Sequence, residues 1–549
     1  MPDLRYQKIQ ALIIDDFDSF RDMLFAMLRE LGVPKIDIAA NSQEALRLCA
    51  TNTYDIIVCD QNLGAGKTGQ QILEVLRQTA NNNSDSMFVL ISAECNKNVI
   101  LASFDHEPDD YLAKPITKQS LEQRLNRLLN QRLALAPIFH AIKYSDINAA
   151  IDLCRQEITS DHRYKNHCQK LLGNLLLKEK RLDEAEELYR GILNVRQLDW
   201  AMLGMAHVKK SKGDALSAQQ WLEELIQFNP LCLKAYDLLA DILRERGDSV
   251  AVQFTLQQAV EFSPLSILRQ QALGEVALKN HDIFTAASAY RHAVKLGINS
   301  YYDSLSCLIS FVHSAIQLSL FDRTIARVMV REAIKCVAEL TARFGVSTDN
   351  KVNTFLLEAQ LQVADGDVRR AKEAMSAAQA IINKEKDSLL LATKIEWVNA
   401  LRATDRMTEA ERITADLLVQ YSASEDDLQK IDCLLDEPCS VKNKNLIEKI
   451  NREGVALYEA KDFLRSAASF KSALQQLPKH IGLRLNLLQT LIALAKSDRT
   501  KPSILTEAQY ILNSVTSIIP SSHAQFHRYR QLEVALKNVK NGIDGATSQ

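Results

Sequence analysis

Small or β-branched residues recur at a nearly fixed step through the middle of this 549-residue chain: Ala185, Ala218, Val252 and Ala286 lie 33, 34 and 34 residues apart. A larger side chain follows each marker four residues on, at Tyr189, Leu222, Leu256 and Tyr290, and a small one precedes it by twelve, at Gly173, Ala206, Ala240 and Gly274. A period of this length fits one antiparallel helix pair, because two helices approach closely only where small side chains face large ones that fill the space above them. The breaks agree. Gly213-Asp214, Gly247-Asp248 and His281-Asp282 fall where paired helices must turn, and Pro230 and Pro264 close two units. One such unit cannot bury its apolar face alone, so several must stack in succession. With only 17 glycines and 11 prolines, the chain has few breakers to oppose that.

The amino-terminal region follows a different rule. Short apolar runs at Ala11–Ile14, Ile36–Ala39, Asp55–Cys59, Phe88–Ile91 and Tyr111–Ala113 read as strands. They alternate with helical stretches at Ser19–Leu31, Ser42–Asn52, Gly69–Gln78, Asn96–Phe104 and Thr117–Asn130. Five such units predict an open parallel sheet with helices on both faces, whose reactive groups gather at the carboxyl ends of the strands. Polar residues stand there: Asp15 and Asp16 end the first strand, Asp60 the third, Ser92 the fourth and Lys114 the fifth. Three converging carboxylates repel one another unless a hard cation neutralises them, and Mg²⁺ suits two carboxylates, a backbone carbonyl and waters. A hydroxyl and an ammonium across the pocket can hold phosphoryl oxygens.

The ordered set Asp15-Asp16-Phe17, Asp60 with Gly69 nine residues on, Ser92-Ala93, and Tyr111 before Lys114-Pro115 resembles the receiver domain of two-component response regulators over residues 9–130. The resemblance implies a flavodoxin-like α/β fold with a five-stranded parallel sheet. It implies that Asp60 is the phosphoacceptor and that Asp16 ligates Mg²⁺ directly, with Asp15 acting mainly through water. The carbonyl of Asn62 would complete the ligands, Ser92 and Lys114 would contact the phosphoryl oxygens, and Tyr111 would be the aromatic switch. Asn62 and Glu94 occupy positions that tune phosphoryl lifetime in the family. Where the family usually has Met-Pro after the acceptor, this chain has Leu63-Gly64, which is expected to loosen the loop. Gly66-Lys67-Thr68 imitates the end of a GxxxxGK[ST] phosphate loop, but the first glycine of that motif is replaced by Gln61.

The 34-residue pattern resembles the tetratricopeptide repeat, which implies an all-α superhelix. A sharp copy runs from Ile447 to Pro478, with Gly454, Leu457, Ser466, Phe470 and Ala473 in place; weaker ones surround Gly366-Asp367 with Ala371, and Ala410. The expected division is a receiver at 1–130, repeats at 136–300, irregular and repeat-like helices at 301–440, and a last repeat with further helices at 446–540. The pattern leaves the pairing of 301–345 and 480–540 open. Asp436-Glu437-Pro438-Cys439-Ser440, running into Lys442–Asn445, is the expected internal linker. In the repeat register His207, Lys210, Asp241, Arg244, Gln271 and Glu275 line a groove whose mixed charge suits a protein or peptide client.

A net charge of −2 excludes a strongly basic surface for the chain as a whole. No apolar run reaches the ~18 residues of a membrane span. The start lacks a secretory signal pattern, and ten cysteines without a CxxC pair suit a reduced cytoplasmic protein. After residue 130 no motif of nucleophile, base or metal spacing supplies a second chemistry, so no enzyme is expected. The expectation is a response regulator phosphorylated by a sensor histidine kinase or phosphotransfer protein, with a protein-binding output. The whole layout looks like VieB-type response regulators. Two rival readings are a constitutive scaffold with a non-switching receiver, and a transcription regulator using a basic stretch such as His527-Arg528-Tyr529-Arg530 with Lys537 and Lys540 on DNA.

Overall fold

The structure is a computed structural model, and it describes residues 4–79, 83, 85–93, 101, 104–160, 163–321, 323–385, 388–497, 502–516 and 519–544. Most of the expected Asn96–Phe104 helix and Glu94 lie outside these residues. By internal contacts the chain forms two compact units. One comprises residues 1–272 with 295–303, the other 273–294 with 304–549.

The first unit opens with β1 (Gln10–Ile14), α1 (Asp18–Leu31), β2 (Lys35–Ala39), α2 (Ser42–Thr51), β3 (Ile56–Asp60), α3 (Gly69–Gln78), β4 (Met87–Ser92) and β5 (Asp110–Ala113), followed by a helix at Lys118–Ala134. The five strands are parallel in the order β2-β1-β3-β4-β5. Alternation divides the core into two layers. Ala11, Ile13, Ile56, Val58, Val89 and Ile91 pack against Leu24 and Leu28 of α1 and Leu121, Leu125 and Leu129 of the last helix. Leu12, Ile14, Ile57, Cys59, Phe88 and Leu90 pack against Ala45 of α2 and Ile72, Leu73 and Leu76 of α3. Helices on both faces explain why β3 and β4 are buried along their whole length.

After Leu135, which ends one helix and starts the next, the chain is helical. The small-for-large rule is visible atom by atom. A Cβ built on Gly173 or Gly204 would lie 2.3 Å from Tyr189, one on Gly274 would lie 2.9 Å from Tyr290, and one on Gly454 would lie 2.6 Å from Phe470. Several turns share one device: a residue with left-handed backbone, then an aspartate that caps the second helix. Gly213, Gly247, His281 and Gly366 have φ of 81°, 78°, 56° and 92°. Each precedes an aspartate (Asp214, Asp248, Asp282, Asp367) that accepts from the backbone N–H three residues on at 3.0–3.1 Å. Ser145-Asp146 and Lys461-Asp462 repeat the device without a glycine to mark it.

In the second unit the pairing that the pattern left open is settled by contact: Leu305–Phe321 packs on Arg323–Ala338, and both touch Thr348–Asp365. Ile481–Ser497 packs on both Pro502–Thr516 and Phe526–Asp544. Successive cores share helices, since Thr348–Asp365 gives Leu357 and Leu361 to one cluster and Val352, Leu356 and Ala359 to the next.

The expected linker is a correction. Asp432, fully buried, accepts from the backbone N–H groups of Cys439 (2.7 Å) and Ser440 (3.2 Å) and from the Asn443 side chain (2.9 Å). Asp436 accepts from the Ile481 N–H at 2.7 Å, and Lys442–Asn445 belong to the helix Val441–Glu459. The segment wraps a buried carboxylate and is held by its hydrogen bonds.

The turn device yields opposite expectations for adjacent residues. Lys461, exposed with φ 62°, carries the steric cost of a left-handed Cβ, so Lys461→Gly should raise stability by up to about 1 kcal/mol. Asp462→Ala, which removes the cap, should lower it by about 1 kcal/mol. Denaturant midpoints of the full chain check both signs.

Candidate functional site

Sheet register assembles the site. Ile14 pairs with Cys59 and Ser92 with Ala113, so Asp15 and Asp60 emerge one step beyond one pairing and Lys114 one step beyond the other. Asp60 itself pairs with Ile91, beside Ser92. The four side chains thus leave the same edge of the sheet for topological reasons.

Asp15 is 1% exposed, Asp60 is 5% exposed, and Asp16 faces solvent. One oxygen from each of the three comes within 4.8 Å of the others, a spacing that can hold a metal ion. The Lys114 ammonium reaches both buried acids, at 3.0 Å from Asp15 Oδ2 and 3.2 Å from Asp60 Oδ1. It rests 4.0 Å from the centroid of the Phe20 ring. Asp15 is further oriented by the Phe17 N–H, which donates to Oδ1 at 2.9 Å, while Arg21 donates to the Asp15 carbonyl at 2.6 Å. Phe20 and Arg21 were invisible in the motif; their signal is their place in the first turn of the helix that follows the acidic pair.

Burial pushes the Asp60 carboxyl up to about 6; Lys114 opposes this and Asp15 adds to it. The donor set fits a divalent cation. Three carboxylates carry more negative charge than one lysine balances, and the exposed Asp16 leaves an approach from solvent.

Gly69 explains its own spacing from Asp60: a Cβ there would lie 2.2 Å from the Asp60 carbonyl oxygen, so α3 can start this close only with glycine. The loop from Gln61 to Thr68 is not loose. Leu63 is 3% exposed in the core, and Gly64 has φ 67°, where a Cβ would sit 3.3 Å from Asp16 Oδ2. Thr68 caps α3 in a reciprocal box with Gln71. The glycine-lysine-threonine run is therefore the entry to a helix, with no phosphate cradle. Asn62 is exposed, and its side chain accepts from the Gly64 N–H at 3.3 Å. Ser92 is buried, its carbonyl accepting from Lys114 N–H at 2.8 Å, and Tyr111 is half-buried against the α2–α3 layer.

The six expected groove residues lie two each on the helices Asp199–Ser211, Leu233–Glu245 and Ile267–Lys279. Asp241 pairs with Arg244 at 2.5 Å, Lys210 with Glu245 at 3.0 Å and Glu275 with Lys279 at 3.2 Å. His207 is exposed, and Gln271 donates to the Tyr302 carbonyl at 3.3 Å. The basic carboxy-terminal stretch is partly engaged within the chain: Arg528 donates to Asn486 (2.7 Å) and Gln489 (2.8 Å), Tyr529 is buried, and Arg530 pairs at the surface with Glu533 at 2.7 Å, while His527 and Lys537 are exposed. Among the described residues no helix is long and apolar enough to cross a membrane.

Residues 11–126 match the response regulator receiver domain. Over 124 residues the chain is 27% identical to the chemotaxis protein CheY of Pseudomonas aeruginosa, covering 22% of this chain and 98% of that one. The chemotaxis response regulator CheY4 of Vibrio cholerae aligns in structure at 23% identity over 22% of this chain and 97% of its own, with a TM-score of 0.21. A tetratricopeptide repeat protein from Parabacteroides merdae aligns at 11% identity over 49% of this chain and 96% of its own, with a TM-score of 0.27.

The raised Asp60 value has a definite pH consequence. A carboxyl whose folded value lies above its unfolded one favours the folded state fully below the unfolded value of 3.8 and loses that contribution as pH rises through about 6. In chelator, Asp60→Asn should therefore be more stable than wild type at neutral pH, by about 1–3 kcal/mol. The gain should vanish near pH 4, as denaturant midpoints across that range would show.

Proposed function

We propose that this chain is a response regulator that accepts a phosphoryl group on Asp60 and uses its helical region to bind protein partners according to that state. The observation that carries the reading is the convergence of Asp15, Asp16 and Asp60 within 4.8 Å, with Lys114 bridging two of them at aligned strand ends. In the transfer, an Asp60 oxygen attacks the phosphorus of a phosphohistidine on a sensor kinase or phosphotransfer protein. The new P–O bond forms as the P–N bond breaks, and the electron pair returns to the imidazole nitrogen.

Asp15, Asp16, Asp60 and the Asn62 carbonyl would hold Mg²⁺, which when bound neutralises charge on the transferring oxygens. Lys114 would turn from the carboxylates to a phosphoryl oxygen, and the Ser92 hydroxyl would donate to another. The added group carries about −1.5 to −2 charges. Tyr111, lying between core and surface, is suited to follow Ser92 as a switch.

The helical region supports a binding role and offers no second reactive cluster of metal-ligating residues among those described. Clients would be other members of the same phosphorelay, as in the VieB-type layout, in the cytoplasm, with no chemistry beyond the phosphoryl cycle. The helix Lys118–Ala134 joins the acceptor domain to the first helix pair through Leu135 and offers one path between them. The test is capture of partner proteins by wild type and Asp60→Ala, each with and without beryllofluoride and Mg²⁺. Beryllofluoride should change capture by wild type and leave Asp60→Ala unchanged. Equal capture in all four arms contradicts the proposal.

A further inference from the structure

One face of α3 is polar where a helix packed on a sheet and its neighbours is normally apolar. Gln71, Glu74 and Gln78 follow one another at steps of three and four, so they share a stripe, and Lys67 lies one turn ahead. Every member of the stripe meets the segment Ile298–Tyr302, which belongs to the same compact unit. Lys67 Nζ donates to the Asn299 carbonyl, and the Asn299 side chain donates back to the Gly66 carbonyl at 3.1 Å. Gln71 donates to the Ile298 carbonyl at 2.9 Å, and Gln78 donates to the Tyr302 hydroxyl at 2.9 Å.

Glu74 is the centre of this contact. It is 1% exposed, and its Oε2 accepts from Ser300 Oγ at 2.6 Å and from the Tyr301 N–H at 3.3 Å. Its Oε1 lies 3.2 Å from His106 Nε2, and the His106 ring stacks on Tyr302 with centroids 5.8 Å apart. A buried carboxylate is tolerated only when donors replace its water. Two of these three donors come from the 298–302 segment, so the burial of Glu74 depends on that segment staying in place.

A second grip lies beside the first. Arg269, 6% exposed, pairs with Asp105 at 2.9 Å while Asp237 holds its other edge at 2.7 Å, and Lys234 pairs with Glu107. The connection that follows β4 and the loop that follows β3 are thus both held by residues of the helical region.

We infer that residues 298–302 are a clasp that reads the state of Asp60 through the loop between Asp60 and Gly69, and that the clasp favours the unphosphorylated arrangement. The inference rests on Asp60 being a phosphoacceptor. The loop is short and mechanically tied at both ends: Gly64 lies against Asp16, Gly69 against the Asp60 carbonyl, and Gly66-Lys67 against Asn299. The clasp coexists with Lys114 engaged on both Asp15 and Asp60, a pairing that a phosphoryl group on Asp60 would have to break. Asn62 belongs to this loop, so any adjustment of the loop as the Asn62 carbonyl takes up a cation would pull on Gly66-Lys67, and the clasp would resist it. Coupling of this kind is reciprocal: whatever weakens the clasp must strengthen binding at Asp60, and binding at Asp60 must loosen the clasp.

The experiment uses the full chain and beryllofluoride with Mg²⁺ as the phosphoryl mimic. The variants are Asn299→Gly with Ser300→Ala, which preserves the left-handed backbone at 299 (φ 67°) and leaves the acceptor pocket untouched, and separately Glu74→Gln. The clasp predicts that each variant binds the mimic about fivefold more tightly or better. It also predicts that the mimic speeds amide exchange at residues 299–302 of wild type. Affinities within twofold of wild type, or weaker, overturn the clasp while leaving the phosphoacceptor intact. A wild-type chain that takes up no mimic overturns the phosphoacceptor reading, and the clasp with it.

Discussion

One ammonium between two buried carboxylates organises the amino-terminal half of this account. Lys114 makes it possible to bury Asp15 and Asp60 together at the edge of a hydrophobic sheet, where either acid alone would be costly and two unpaired acids more so. The pairing is incomplete by design of charge. Two buried acids and the exposed Asp16 face a single lysine, and burial still holds Asp60 well above the ordinary carboxyl range. The pocket therefore favours an added positive charge, and it holds Lys114 within reach of both buried acids. Its supports, Phe20 beneath the ammonium and Arg21 on the Asp15 carbonyl, come from the first turn of α1.

Much of this was legible from residue order because parallel register converts sequence position into spatial position. Once Ile14, Cys59, Ile91 and Ala113 are read as strand ends, the residues beyond them must lie together. The helical region was legible for a different reason. A glycine sixteen residues before a ring marks a contact too close for any Cβ, as Gly173 with Tyr189, Gly274 with Tyr290 and Gly454 with Phe470 demonstrate.

What escaped the sequence was long-range polar pairing. Nothing local distinguishes the α3 stripe from a solvated face, since its partners lie more than two hundred residues away. The turn at 432–440 misled in the opposite direction: proline and polar residues signal an exposed connection, and here they wrap a buried aspartate. Turns at Ser145 and Lys461 went unmarked because residues other than glycine accept the left-handed backbone when the following aspartate supplies a cap. The Leu63-Gly64 departure likewise reads as slack in one dimension, yet leucine anchors that loop in the core.

The central claim is that the acidic pocket is a cation-dependent phosphoacceptor, and the most direct measurement locates the phosphoryl bond. The full chain would be incubated with acetyl phosphate with and without Mg²⁺, reduced with borohydride to trap any acyl phosphate as homoserine, and mapped by peptide mass spectrometry. The account predicts homoserine at position 60, formed only when Mg²⁺ is present. No trapped product, or a product at another position, would contradict it.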